Sequence, residues 1–135
     1  MLLALTIGGT SVKMGLSDDH GALYARKEVS VCFDGYQTPV IDTVIQSTTR
    51  FLARHSVSIR GVGVSAAGQI DDRRGVIIGT NGKIPHYEGT CIKERLERAL
   101  GVPVWVLNDA NAAVLGECFA GRGRGCQNAV MLTLG

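Results

Sequence analysis

The stretch that decides the fold is LTIGGTSVKMGLS, residues 5–17. A short apolar strand runs into Gly8, Gly9 and Thr10, and a second alternating run follows, which predicts two antiparallel strands joined by a glycine turn. Such a turn exposes backbone N–H groups that can approach phosphate oxygens, and Lys13 lies nearby as a positive charge. Neither the Walker pattern nor GxGxxG is present, so a turn without a ligand explains this motif equally well on its own.

The composition is that of a globular chain with an excess of glycine. Of its 135 residues, 45% are hydrophobic, 19% are charged and 18 are glycine. This balance predicts a packed core, and the glycines favour a fold with many tight turns over a helical bundle. A net charge of +2 is too small to predict a nucleic-acid partner. The four cysteines lack CxxC spacing and no apolar run could span a membrane, so we expect a cytoplasmic protein with a small ligand.

The first half of the chain predicts a strand meander followed by a crossover. The predicted strands are residues 2–7, 12–17 and 22–31. Hydrophobic residues at three- and four-residue spacing then predict an amphipathic helix from Pro39 to about His55. A β-branched strand that stops at Gly68 follows, and this strand, helix and strand order predicts parallel pairing.

The second half predicts a short hairpin and two more helices. Thr90 can cap the first helix, which Gly101 ends, and Asn108 or Asp109 can cap the second. The side chains expected to face inward on the second helix are Val114, Leu115, Cys118 and Phe119. A last strand is expected over residues 128–135. The whole order builds a mixed sheet with helices on its faces, and ligands of such sheets lie at the carboxyl ends of the strands.

The stretch LNDANAA, residues 107–113, carries the sharper chemical pattern. Asp109 follows a buried strand and begins a helix, where backbone N–H groups orient a carboxylate, and the amide of Asn108 can hold a polyol. Asp109 can then take a proton from a hydroxyl nucleophile, as phosphoryl transfer to an alcohol requires. Both residue types are also common helix caps, and for either residue alone the capping role is favoured.

Several segments occur together in a fixed order: IGGTSVKMGL, GVGVSAAGQID with GVIIGTN, IPHYEGTCIKERLERALGVPVWVLNDANAAVLGE, and NAVMLTLG. Together they resemble the consecutive signatures of the ROK family (repressors, open reading frames and sugar kinases), within the actin-like, hexokinase-like ATPase superfamily. The resemblance covers nearly the whole chain. It implies an α/β fold with a ribonuclease-H-like mixed sheet and flanking helices.

The resemblance also implies roles for individual residues. Asp109 matches the catalytic base that deprotonates the sugar hydroxyl. The positions that match the sugar pocket are Gly68, Thr80, Asn81 and Asn108, and those assigned to the ATP phosphates are Gly8, Gly9 and Thr10, with Lys13 beside them. The implied cofactors are ATP and Mg²⁺, and no metal-ligating residue is assigned.

By the same resemblance, residues 1–121 are the amino-terminal lobe of a bilobal kinase, residues 122–126 are the hinge and residues 127–135 begin a second lobe. The family's second phosphate loop, zinc site and adenine-binding lobe are then absent from these residues, so we expect little or no activity from the chain alone. Thr6 stands where the family usually has aspartate, which should weaken magnesium placement. An unpaired strand at residues 128–135 favours a homo-oligomer.

Three functions are consistent with the sequence. The first is an ATP-dependent kinase of a hexose or an N-acetylamino sugar. The second is a sugar-responsive transcriptional regulator without its DNA-reading segment, since the first strand already begins at Leu2. The third is a non-catalytic sugar-binding remnant, which Thr6 favours, whereas Asn108 and Asp109 together favour kinase ancestry. An RNA-binding role for GRGRG is disfavoured because no aromatic residue lies between its arginines.

Overall fold

A five-stranded mixed sheet forms the centre of the molecule. The computed structural model describes residues 1–134. In chain order the elements are β1 (Leu2–Ile7), β2 (Ser11–Ser17), β3 (Leu23–Ser30), α1 (Val40–His55), β4 (Val62–Ala66), β5 (Gln69–Asp71), β6 (Val76–Gly79), α2 (Ile92–Leu100), β7 (Val104–Asn108) and α3 (Asp109–Ala120). The strand order is β3-β2-β1-β4-β7, and β5 and β6 form a separate hairpin.

The pairing of the strands confirms the predicted topology. β1 pairs antiparallel with β2, and β2 pairs antiparallel with β3, which is the expected meander. β4 pairs parallel with β1 on one side and with β7 on the other. The helix α1 therefore serves as the crossover between β1–β3 and β4, as the order of elements predicted.

The register of the parallel strands aligns their carboxyl ends. Ile7 pairs with Ala66, and Ala66 pairs with Asn108, so β1, β4 and β7 end side by side. The glycine turn after β1, the turn after β4 and the start of α3 consequently meet at one edge of the sheet. This is the convergence that the sequence predicted.

One face of the sheet holds the hydrophobic core. Alternate residues of β1 are fully buried there, and α1 and α2 cover them with Phe51 and Leu96, which are 1% and 0% exposed. Full burial of a side chain of this size contributes about 1.5–3 kcal/mol. α2 ends at Gly101, whose φ of 69° is the left-handed cap that the sequence predicted. Among residues 1–134, no helix is both long and apolar enough to cross a membrane.

On the opposite face of the sheet, the prediction for the inward side of α3 was partly wrong. α3 lies on this face, but Leu115 and Phe119, expected to face inward, are 56% and 63% exposed. The sheet beneath carries small residues such as Ala4 and Gly63, so a groove of about 280 Å³ separates Ala112 and Leu115 of α3 from the strands. Trp105 and Leu107 also line this groove, and Val114 and Cys118 of the helix are half-buried, but Leu115 and Phe119 stay open to solvent.

Two local predictions also differ from the structure. Thr90 does not cap α2, because its Oγ1 donates backwards to the carbonyl of Tyr87 at 2.6 Å and Cys91 precedes the helix. The segment 128–134 forms no strand, since no neighbouring strand in the described part of the chain offers it backbone hydrogen bonds. Gly135, the last residue of that predicted strand, lies outside the described residues.

Candidate functional site

A cavity of about 500 Å³ opens at the edge where the strands end. It is lined by Ala67, Gly68, Gln69, Gly79, Thr80, Asn81, Ile84, Tyr87, Glu88 and Asn108. All of the residues predicted to bind a sugar, Gly68, Thr80, Asn81 and Asn108, are in this wall. The volume lies within the usual range for small-molecule sites.

The turn at Gly68 brings the β5–β6 hairpin against the end of β4. Gly68 has a φ of 103°, and a Cβ at this position would lie only 2.8 Å from the carbonyl oxygen of Gly79. Glycine is therefore required by both conformation and space. Thr80 and Asn81 follow the hairpin, and their side-chain oxygens accept turn hydrogen bonds of 3.2 Å from the backbone N–H groups two residues further on.

Asn108 is both a helix cap and a bridge between strand ends. Its Oδ1 accepts from the backbone N–H of Ala110 at 2.9 Å and of Asn111 at 3.4 Å, which confirms it as the cap of α3. Its Nδ2 donates to the carbonyl of Gly68 at 2.7 Å. One amide thus fixes the helix start and the cavity wall together.

Asp109 lies beside the cavity without lining it. It is the first residue of α3 and is exposed, and its Oδ1 accepts from the backbone N–H of Ala110 at 2.9 Å. The carboxylate is therefore held at the helix amino-terminus, where the dipole favours negative charge. Asp109 directly follows Asn108, which lines the cavity.

The glycine turn is supported by the loop that follows β3. Tyr36 donates its hydroxyl hydrogen to the carbonyl of Gly9, and Val31 donates its N–H to the carbonyl of Thr10 at 3.0 Å. The N–H of Gly8 is already bonded to the carbonyl of Ser11 at 3.0 Å. Gly8 is therefore less available to a ligand than the sequence suggested.

Two further N–H groups of the turn remain unpaired in the described part of the chain. Within residues 1–134 no hydrogen bond of the structure uses the N–H of Gly9 or Thr10, and Thr10 and Lys13 are exposed. None of these residues lines the cavity, but the side chain of Ile84, which does, would lie 3.6 Å from a Cβ at Gly9. The turn and the cavity are thus neighbours that share one wall.

The metal-binding capacity of the described side chains is small. Residues 1–134 contain no group of three His, Cys, Asp or Glu side chains placed to hold an ion. Thr6 lies on the side of β1 that faces α3, where it lines the groove with Ser65 and Leu107.

Tyr87 and Glu88 also line the cavity, although the sequence motifs did not predict them as site residues. Both belong to the segment that begins IPHYEG at residue 84. An aromatic residue among turn residues was the only sequence feature there that could have indicated a binding site. Periodicity cannot find such residues because they lie in no helix or strand. Burial raises the pKa of Tyr87, and the carboxylate of Asp109 raises it further.

The sheet order and the aligned strand ends define the class of the protein, the mixed α/β fold of the actin-like ATPases, which the similar solved structures share. The family model of the ROK family matches residues 2–135, and the chain belongs to this family.

Individual relatives are sugar kinases that are much longer. The chain is 33% identical over 135 residues to the beta-glucoside kinase of Listeria innocua, covering 99% of this chain and 43% of that protein. The ROK family glucokinase of Streptomyces griseus, solved with glucose and AMPPNP, is 28% identical with a TM-score of 0.75 over 92% of this chain and 38% of its own. A ROK family transcriptional regulator, a homologue of the E. coli MLC protein, is 16% identical with a TM-score of 0.75 over 90% of this chain and 31% of its own, which shows the fold alone. The chain thus spans about two fifths of the length of the two kinases and less than a third of the regulator.

Proposed function

We propose that this chain supplies the sugar-binding half of an ATP-dependent sugar kinase and carries its catalytic base. The observation that supports this most directly is the cavity wall of Gly68, Thr80, Asn81 and Asn108, with Asp109 next in the chain. The kinase names of the relatives agree with it. In this proposal residues 1–121 are the lobe, residues 122–126 are the hinge and residue 127 begins a second lobe.

The chemistry of the wall favours an uncharged sugar. Its polar side chains are amides, hydroxyls and the carboxylate of Glu88, and no Lys, Arg or His of the described chain lines it. Amides donate hydrogen bonds to a polyol and accept them from it, and a carboxylate accepts them, whereas a sugar phosphate would need a cation. A hexose is therefore the proposed substrate, in keeping with the glucose in the Streptomyces griseus complex, and an N-acetylamino sugar is the alternative.

The proposed reaction is a phosphoryl transfer to a sugar hydroxyl. ATP, when bound, supplies the phosphoryl group. The sugar oxygen forms a bond to the γ-phosphorus, the bond from that phosphorus to the bridging oxygen of ADP breaks, and the hydroxyl proton moves to the carboxylate of Asp109. Asn108 keeps Asp109 in place by capping the helix that carries it.

The glycine turn is the proposed phosphate contact. The N–H groups of Gly9 and Thr10 and the ammonium group of Lys13 are the donors that would face the phosphates, and Tyr36 holds the turn in shape. Mg²⁺ enters this proposal as an ion carried by the phosphates, because the described side chains form no metal cluster.

The test measures binding and transfer separately on this chain. Calorimetry with glucose and N-acetylmannosamine should detect binding that Asn108→Ala weakens. Transfer of labelled γ-phosphate from ATP with Mg²⁺ should be small, because the chain spans about two fifths of its relatives, and Thr6→Asp should raise it. Any transfer should fall about 10²- to 10⁴-fold in Asp109→Asn.

A matched control is Asp72→Asn, which changes an exposed aspartate outside the cavity wall. This variant should leave both binding and transfer unchanged. A folded chain that binds neither sugar would contradict the proposed function. Transfer that persists in Asp109→Asn would contradict the role of Asp109 alone.

A further inference from the structure

The segment of residues 84–90, which we call the strap, closes one side of the cavity and carries Tyr87. Its backbone is anchored to the hairpin, since the N–H of Gly89 donates to the carbonyl of Ile77 at 2.8 Å and the N–H of Ile77 donates to the carbonyl of Thr90 at 3.1 Å. The carbonyl of Tyr87 accepts from both the N–H and the Oγ1 of Thr90, at 3.2 and 2.6 Å. The backbone at Tyr87 is thus firmly placed.

The side chain of Tyr87 is buried, but its hydroxyl has no partner. Tyr87 is 3% exposed and packs against the hydrophobic core, and it is also part of the cavity wall. Within residues 1–134 its hydroxyl makes no hydrogen bond. A buried unpaired hydroxyl destabilises a fold, and phenylalanine would fill the same space without that penalty. Packing alone therefore does not explain a tyrosine here.

The surroundings of Tyr87, burial first, keep its hydroxyl a hydrogen-bond donor. Burial first and the carboxylate of Asp109 second raise the pKa of Tyr87, so the phenol stays protonated at neutral pH. The hydroxyl of Tyr87 is therefore a donor without an acceptor, in the wall of a cavity that Asn108 also lines.

We infer that Tyr87 is a further sugar-binding residue, whose hydroxyl donates a hydrogen bond to a hydroxyl oxygen of the bound sugar. This inference rests on the proposed function. Because the phenol oxygen is covered in the structure and the backbone at Tyr87 is anchored, the tyrosine ring must shift slightly when the sugar enters. Recognition of the sugar then includes the strap as well as the strand ends.

The test is calorimetric titration of the chain with glucose and with the deoxyglucoses that each lack one hydroxyl. Tyr87→Phe should weaken glucose binding about 3- to 10-fold, the range of one neutral hydrogen bond. It should leave the thermal midpoint of the sugar-free protein unchanged or higher, because no bond is lost in that state. One deoxyglucose should bind the variant and the original protein equally, since it lacks the partner hydroxyl.

The matched control is Tyr24→Phe, which removes the hydroxyl of an exposed tyrosine that bonds to Asp18 far along the chain from the cavity residues. Its glucose affinity should equal that of the unchanged chain.

Three results would overturn the inference: equal glucose affinity in Tyr87→Phe and the unchanged chain, an affinity loss identical for glucose and every deoxyglucose, or a lower thermal midpoint without sugar. If Asn108→Ala loses binding and Tyr87→Phe does not, only this inference fails. If the unchanged, folded chain binds no sugar, the proposed function itself fails.

Discussion

The side-chain amide of Asn108 donates a 2.7 Å hydrogen bond to the carbonyl oxygen of Gly68 and so ties the end of β7 to the turn after β4. The same amide accepts from the first turn of α3 through Oδ1. A single side chain therefore sets the distance between the cavity wall and the helix that carries Asp109. Disturbing it should affect both stability and sugar binding.

Asn108→Ala should lower the free energy of unfolding by about 1–2 kcal/mol, because it removes a helix cap and a bond to a backbone carbonyl. Asn108→Asp should recover part of this loss, since aspartate still caps α3 but cannot donate to Gly68. Urea unfolding measures the stability, and calorimetry measures the sugar affinity, which both variants should reduce. Equal stabilities of Asn108→Ala and the unchanged protein would contradict the double role.

Tyr36 controls the shape of the glycine turn through its bond to the carbonyl of Gly9. Tyr36→Phe should cost about 0.5–1.5 kcal/mol of stability and should also weaken binding of a non-hydrolysable ATP analogue, because the turn loses its support. Sugar affinity should stay the same, since Tyr36 does not line the cavity. Tyr24→Phe serves as the control for the loss of a tyrosine hydroxyl. If Tyr36→Phe changed the sugar affinity and left the nucleotide affinity unchanged, the prediction would be wrong.

The fold was predictable because its signals are local. Alternating strands before Ser17, the three- and four-residue spacing of α1 and the cap of α3 at Asn108 each follow from a few neighbouring residues. The convergence at Gly8, Gly68 and Asp109 followed from topology alone, since parallel strands end at the same edge.

The predictions that failed depended on partners distant in sequence. The inward face of α3 depended on a close fit to the sheet beneath, but a groove lined by Ala4, Gly63 and Trp105 lies there instead. The hydroxyl of Thr90 donates to the carbonyl of Tyr87 instead of capping α2, and no sequence pattern within the helix predicts this contact. The hydroxyl of Tyr87 could be found only from the structure, because its burial and its lack of a partner are tertiary properties.

Asp34 should make the loop after β3 sensitive to acid. The Oγ1 and N–H of Thr38 donate to its carboxylate at 2.6 and 2.9 Å, and the pKa of Asp34 is lowered, chiefly by the hydroxyl bond, from the ordinary 3.8. A lowered pKa stabilises the fold above the unfolded value of 3.8, and this contribution is lost as the pH falls through the lower folded value. Asp34→Asn should therefore flatten the decline of stability below about pH 4.

Urea unfolding between about pH 3 and pH 6 measures this effect. Thr38→Val is a second variant that should flatten the same region partly, because it removes the hydroxyl donor and keeps the carboxylate. The pKa of Asp18 is lowered as well, by the N–H of Ala22 first and by Tyr24 next, so some acid sensitivity should persist in both variants. Parallel stability curves for Asp34→Asn and the unchanged protein would refute the role of Asp34.

The exposed apolar segment at residues 130–134 should promote self-association. Val130, Leu132 and Leu134 are 92%, 85% and 98% exposed, and their spacing of two places them on one side of an extended chain. Burying one such side chain contributes about 1.5–3 kcal/mol to the free energy of association. Pairing with a second copy of the chain would bury these apolar side chains, which are otherwise exposed to solvent. Sedimentation over a range of concentrations should therefore show dimers, and Leu132→Lys should weaken the association at least ~10-fold. Thr133→Lys adds the same charge without removing an apolar group and should have the smaller effect, whereas a monomeric mass at the highest soluble concentration would contradict the prediction.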